Sequence, residues 1–238
     1  MLASPDMTCD RSRSDSHRLD AFVDAAFAFA VSLLIVAGGD LPDSLPAMYQ
    51  ALGRIPAFAM AFALITMFWL GHRSFGRLVP ARDGVIVAIS LAIVFTTLIY
   101  VVPLRMLTDA TAHFVSGGRL PGAGMISSFD ELGQVYTVYG AGFSVLAGLY
   151  FLLNWHAERH ADRLGVADKD RSDLRYSIGV WAVIAMSGLI SAVLALTFPL
   201  SLFPGLPGFA YWLIPIGIGL LSWRQRKATA SKSGSDEA

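Results

Sequence analysis

Long runs without charge dominate the chain, and their lengths set the first expectation. Residues 55–71, 84–104 and 132–155 contain no Asp, Glu, Lys or Arg, and 21–39 contains only Asp24. The stretch 176–223 runs 48 residues without a charge and is divided by Phe203-Pro204-Gly205-Leu206-Pro207-Gly208. Proline lacks the N–H a helix needs and glycine has little helical preference, so this stretch reads as two helices joined by a hairpin. A helix needs about 20 mostly apolar residues to cross a bilayer core. The pattern therefore predicts an all-α membrane protein with six transmembrane helices, over about 18–38, 52–74, 84–106, 132–156, 176–199 and 208–223. Residues 1–17 form a leader, 18–223 the six-helix unit and 224–238 a tail. The leader has no apolar segment and is not a cleavable signal peptide. It and the Ser/Lys-rich tail read as disordered, and the Gly-rich connection around 117–122 as flexible.

Composition agrees, with 55% hydrophobic and 15% charged residues and a mean hydropathy of +0.56. Soluble chains carry about 25% charged residues. Eighteen basic and eighteen acidic residues cancel, which argues against a nucleic-acid partner. The one cysteine, Cys9, excludes an intrachain disulfide or a cysteine metal cluster. Placing both termini in the cytoplasm puts fifteen of the eighteen basic residues there and leaves Arg54, Arg105 and Arg119 outside. Lys and Arg near span ends favour the cytoplasmic side, so this orientation, with an even number of spans, is the expected one. Trp69, Trp155, Trp181, Trp212 and Trp223 lie toward predicted span ends and read as an interfacial belt.

The polar residues inside the spans narrow the chemistry. Asp24 lies about one turn inside the first span, where it is either a helix-start carboxylate near the headgroups or a contact to another helix. Trp69 and His72, at the corresponding end of the second span, carry donors for such a contact with Asp24 or Arg18. For His72 the plainer reading is an interfacial, solvated ring. At 100° per residue, Phe22, Phe29, Leu33 and Val36 fall within about 60° of Arg18 and form one apolar stripe. Ser32 flanks that stripe and Asp24 faces elsewhere. Periodicity alone does not separate lipid-facing, helix-packing and pore-lining roles for it. No catalytic triad, carboxylate pair, HExxH or metal-ligand spacing is present. His113 stands alone, and His156-Ala157-Glu158-Arg159-His160 reads as a solvated helix end.

The run from Arg18 to Leu34, RLDAFVDAAFAFAVSLL, resembles the opening of the prokaryotic TMEM175 potassium channels: an Arg, then Phe-Ser-Asp, Phe-Ala-Ile and Thr-Leu-Leu. Trp69-x-x-His72-Arg73 is similar to that family's second-span pattern. Here Val23, Phe29 and Ser32 stand where the family pattern has serine, isoleucine and threonine. The resemblance implies a homotetramer in the bacterial inner membrane whose first helices line a central pore. It implies a constriction of Phe29, Leu33 and Val36, a selectivity hydroxyl at Ser32, and a contact set of Arg18, Phe22, Asp24, Trp69 and His72. The expected function is a potassium-permeable leak channel, not an enzyme. It needs no cofactor and no metal beyond the permeating potassium, and its partners are itself and the bilayer. The alternatives are a non-conducting scaffold of the same fold, with Phe29 plugging the axis, and a small secondary transporter. The transporter lacks support from a broken-helix repeat or a second embedded ionisable site.

Overall fold

The computed structural model describes residues 5–37, 42–122, 126 and 128–233, with side chains from Ser16 to Lys227. Its helices are α1 (Pro5–Val36), α2 (Leu45–Gly53), α3 (Ile55–Leu78), α4 (Gly84–Val115), α5 (Phe129–Arg159), α6 (Asp168–Thr197), α7 (Leu206–Phe209) and α8 (Leu213–Ser233). A single 3-10 turn, Ala210–Trp212, joins α7 to α8. Among the described residues there is no strand, and six helical segments are long and apolar enough to cross a membrane.

Helix starts follow from caps. Ser44 accepts a bond from Ala47 N–H, Asp83 from Ile86 N–H at 2.9 Å and Ser128 from Glu131 N–H. Pro46 and Pro56 sit in the first turns of α2 and α3, where no intrahelical N–H is required. The leader departs from expectation, because α1 begins at Pro5 and is continuous with the first span. Adding residues to a formed helix avoids the nucleation cost, so a polar sequence extends a packed one. The tail is likewise helical to Ser233. Residues 1–4, the span end at 38 and residues 234–238 lie outside the described residues, as does the Cys9 side chain.

α4 runs through Pro103 to Val115, well past the expected end near 106. Arg105, expected at the outer membrane surface, is instead buried in this helix and paired with Asp109 at 3.0 Å. The 117–122 connection is tied down: the His113 ring bonds Leu120 C=O at 2.7 Å, and Leu120 N–H donates to Ser116 Oγ at 3.0 Å. Gly117 and Gly118 take φ of +64° and +84°, which suits glycine in this turn.

The tightest packing is between α5 and α6. A Cβ on Gly140 would lie 2.7 Å from Gly188 C=O, and one on Gly188 would lie 2.9 Å from Gly140 C=O. Ser144 Oγ donates to Ala185 C=O at 2.9 Å across the same crossing. Small residues let helix backbones approach where lipid tails supply no hydrophobic drive for association. Beside it stands an aromatic core. Trp181 stacks on Tyr150 with centroids 4.3 Å apart, Phe68 lies 5.7 Å from each, and Tyr150 donates to Phe68 C=O at 2.6 Å. Trp181 is thus a buried core residue and not part of an interfacial belt. Its ring lies over Gly71, where a Cβ would meet it at 2.3 Å.

A series of polar contacts shows that the start of the first span within α1, the starts of α4 and α6 and the ends of α3, α5 and α8 share one end of the bundle. Asp24 meets Trp69, Asp83 meets His156, Glu158 meets Arg175, and Tyr176 meets Ser222. This is called the proximal end below, and the end holding Val36 and α2 the distal end. The His156 run is therefore not simply a solvated face. His156 bonds Asp83 at 2.9 Å, Arg163 bonds the same oxygen at 2.6 Å, and the His160 ring centroid lies 4.4 Å from that of His156. Burial pushes the Asp83 carboxyl up. The His156 hydrogen bond, the Ile86 N–H and the charges of His156 and Arg163 outweigh it and hold the carboxyl below its ordinary range. A lowered native pKa gives stability that is complete above the ordinary carboxylate range and is lost as pH falls through the native value. Protection of the backbone amides at 83–87 and 156–164, relative to free amide exchange at the same pH, is therefore expected to fall below about pH 4. Asp83→Asn should exchange faster at neutral pH and lose this acid dependence; an unchanged profile would remove Asp83 from the joint.

Candidate functional site

The site is the first helix and what holds it. Leu19, Val23, Phe27, Ala30 and Leu34 are all buried, and their spacings of three and four put them on one face against the core. Val23, where the family pattern has a serine, is wholly buried and packs as an aliphatic core residue. The opposite face is exposed among the described residues. Phe22, Phe29, Ile35 and Val36 are 52%, 56%, 62% and 73% exposed. Ala21, Ala25, Ala28 and Ser32 are exposed too and form a ridge of small side chains. Leu33 sits on the seam between the two faces, half-buried and touching the core.

Ser32 Oγ donates to Ala28 C=O at 3.2 Å, one turn back in its own helix. With its proton engaged there, the exposed oxygen keeps its lone pairs free to accept.

Three contacts fasten α1 at the proximal end. Trp69 Nε1–H donates to Asp24 Oδ1 at 2.8 Å. Arg82 Nη2 donates to both Asp20 oxygens, at 3.2 and 3.3 Å. Ser16 Oγ donates to Pro80 C=O at 3.1 Å. The Arg82 side chain is only 3% exposed, also bonds Val79 C=O, and lies 5.4 Å over the Phe75 ring. Of the expected contact set, the structure brings together Asp24 and Trp69. His72 turns away, buried, with Nε2 3.1 Å from Ser90 Oγ on α4. It is enclosed between helices rather than solvated at the interface. Arg18 and Phe22 are exposed, and the described contacts of Asp24 and Trp69 include neither.

The Asp20–Arg82 pair escaped the sequence reading. Asp20 lies only two residues after Arg18, and Arg82 reads as one more positive charge in a cytoplasmic connection. The available signal was Asp20 and Asp24 one helical turn apart at the start of an apolar span. Among the described residues no cluster of His, Cys, Asp or Glu is arranged to hold a metal ion.

Six membrane-crossing helices make this an integral membrane protein of the all-helical class, and the bare face of its first helix is the feature its own fold leaves unexplained. Residues 18–103 match the family model described as endosomal/lysosomal potassium channel TMEM175. A potassium channel of Marivirga tractuosa is 26% identical over 209 residues, covering 84% of each chain. The crystal structure of a variant of the potassium channel MtTMEM175, bound to a nanobody–MBP fusion, superposes with a TM-score of 0.75 at 24% identity, covering 88% of this chain and 93% of that one. A TMEM175 homologue from Chamaesiphon minutus, described as a lysosomal potassium-selective channel homologue, gives a TM-score of 0.53 at 18% identity, covering 89% and 98%. The match to the TMEM175 family model lies in the region of the first three spans, and over most of its length the chain has the fold of these solved structures.

Proposed function

We propose that this chain forms a potassium-permeable leak channel of the bacterial inner membrane, assembled from four copies with both termini in the cytoplasm and α1 around the axis. The observation that carries this reading is the two-faced first helix: one side is packed into the chain's own core, and the other bears Phe29, Ser32 and Val36, all exposed. In a tetramer the small ridge of Ala21, Ala25 and Ala28 lets neighbouring α1 helices approach closely. Phe29, Leu33 and Val36 then stack as apolar rings, and a narrow apolar ring excludes water, and so a hydrated ion, until it widens. Ser32 offers an oxygen to a partly dehydrated cation and gives a modest preference for potassium over sodium. Asp24 and Trp69 set the position of the first helix and take no part in conduction, while His72, at Ser90, joins α3 to α4. No cofactor is required; potassium is the permeant, and a second copy and the bilayer are the partners.

Potassium flux into liposomes containing the purified protein, with sodium as competitor, is the test. Wild type should pass potassium in preference, and Leu33→Ala should widen a ring and raise flux or relax that preference. Asp24→Ala frees the Trp69 N–H and should alter flux through the position of α1. Conductance unchanged in Leu33→Ala would take Leu33 off the axis. Phe29, with more than half its surface bare, is the observation that favours the plugged scaffold. Absence of flux from an assembled tetramer, with flux appearing in Phe29→Ile, would establish that reading instead.

A further inference from the structure

The last helix carries a surface that conduction does not use. Ile216, Leu220 and Trp223 are 56%, 57% and 58% exposed, and Lys227 continues the same line. Spacings of four, three and four hold these residues within about 60° of helix circumference. The Lys227 ammonium lies 5.0 Å from the centre of the Trp223 ring. Arg224 and Arg226, both exposed, stand about 80° to either side of the line at the same level. Residues 206–233 contain no Asp or Glu.

Two other helices end at the proximal side in the same aromatic–cation arrangement, but with their polar groups engaged or balanced. Arg73 lies 5.3 Å over Trp69, whose N–H is taken by Asp24. Arg159 lies 4.1 Å over Trp155, and its neighbour Glu158 pairs with Arg175. On α8, among the described contacts, no acceptor takes the Trp223 N–H and no carboxylate meets Arg224, Arg226 or Lys227. An aliphatic stripe ending in an indole and three unbalanced cations matches one kind of molecule in charge and in polarity along its length.

We propose that this face of α8 binds an anionic phospholipid, with acyl chain along Ile216 and Leu220, glycerol ester level at the Trp223 N–H, and headgroup phosphate at Lys227 and its flanking arginines. The cations attract a headgroup with net negative charge and gain little from phosphatidylcholine, whose choline cancels its phosphate. The inference requires only that the chain sits in a membrane and holds whether or not it conducts.

The test is quenching of tryptophan fluorescence in the full-length protein reconstituted with brominated phosphatidylglycerol or brominated phosphatidylcholine. Subtracting the signal of Trp223→Phe isolates this one indole among the five tryptophans. The Trp223 component should show about fivefold stronger association with the brominated phosphatidylglycerol, the ratio one headgroup contact to a surface cation gives. Arg224→Gln/Arg226→Gln/Lys227→Gln should bring the two lipids to equal quenching while the indole remains accessible to both. Equal quenching in the wild type would overturn the proposal. So would a Trp223 component that neither lipid quenches, because α8 would then face a second copy of the chain.

Discussion

Gly140→Ala is expected to destabilise the protein by about 3 kcal/mol, the upper part of the range for forcing extra volume into a packed core. The added methyl would lie 2.7 Å from Gly188 C=O and 2.9 Å from Ala192 N, both backbone atoms of α6. Neither moves without shifting the helix, and that shift would drag Trp181 from its stack on Tyr150. The control is in the same helix two turns on, because Gly148→Ala meets nothing within 4 Å. There the same substitution should be neutral or stabilise by up to about 1 kcal/mol through helix propensity alone. Thermal unfolding of the two variants in one detergent gives opposite signs if the α5–α6 crossing is the close one described. Equal shifts would mean that the helices have room to separate.

Asp20→Asn is expected to cost nearly as much, about 3 kcal/mol, by leaving the Arg82 guanidinium buried without its carboxylate. Asp20 is 36% exposed on its own side chain and keeps part of its hydration, which sets the value at the low end for a broken buried pair. Arg82 has no such relief, since its Nε is already buried without a partner. Adding Arg82→Met removes the stranded charge and should restore part of the loss, as hydrophobic replacements of buried ion pairs do. Unfolding measured on the single and double variants checks this. A double variant no better than Asp20→Asn would show that the bond to Val79 C=O, not the ion pair, holds Arg82.

Much of the architecture is legible in the sequence because the bilayer imposes it. Charge-free runs, one of them broken only by Asp24, mark the six spans, and the break between α6 and α8 is written in the Pro/Gly residues 203–208, the last three of which open α7. α2 goes unread although its signal is present, a Ser44 cap followed by Leu45, Met48, Tyr49 and Leu52 at i, i+3, i+4 and i+7, because nine residues are too few to cross a membrane and only runs of that length mark the spans. The Asp24–Trp69 contact was readable as a possibility because both residues have polar atoms at one depth of antiparallel spans. His72 was misplaced for the same reason: depth was known but direction around α3 was not, and Ser90 gave no signal in an apolar run. Trp181 was assigned to a membrane surface because tryptophan prefers it. Only its position opposite Gly71, a relation between two helices, makes it a core residue. Arg105 reads as outside because it closes the charge-free run 84–104, two residues after Pro103. α4 instead continues across that proline, and Asp109 one turn on supplies the countercharge.

The three fastenings of α1 fall within nine residues, Ser16 to Asp24, and farther along no side chain of α1 makes a described hydrogen bond to another helix. Beyond Asp24 the helix is held to the core by apolar contact alone, through Phe27, Ala30 and Leu34. Val36 lies twelve residues beyond Asp24, a lever arm of about 18 Å at helical rise. A tilt of about 5° at the polar joint swings the tip by about 1.6 Å, while Phe29, less than half as far out, moves by about 0.7 Å. A tilt about the polar joint would therefore be read out mainly at Val36 and least at Phe22, beside the joint.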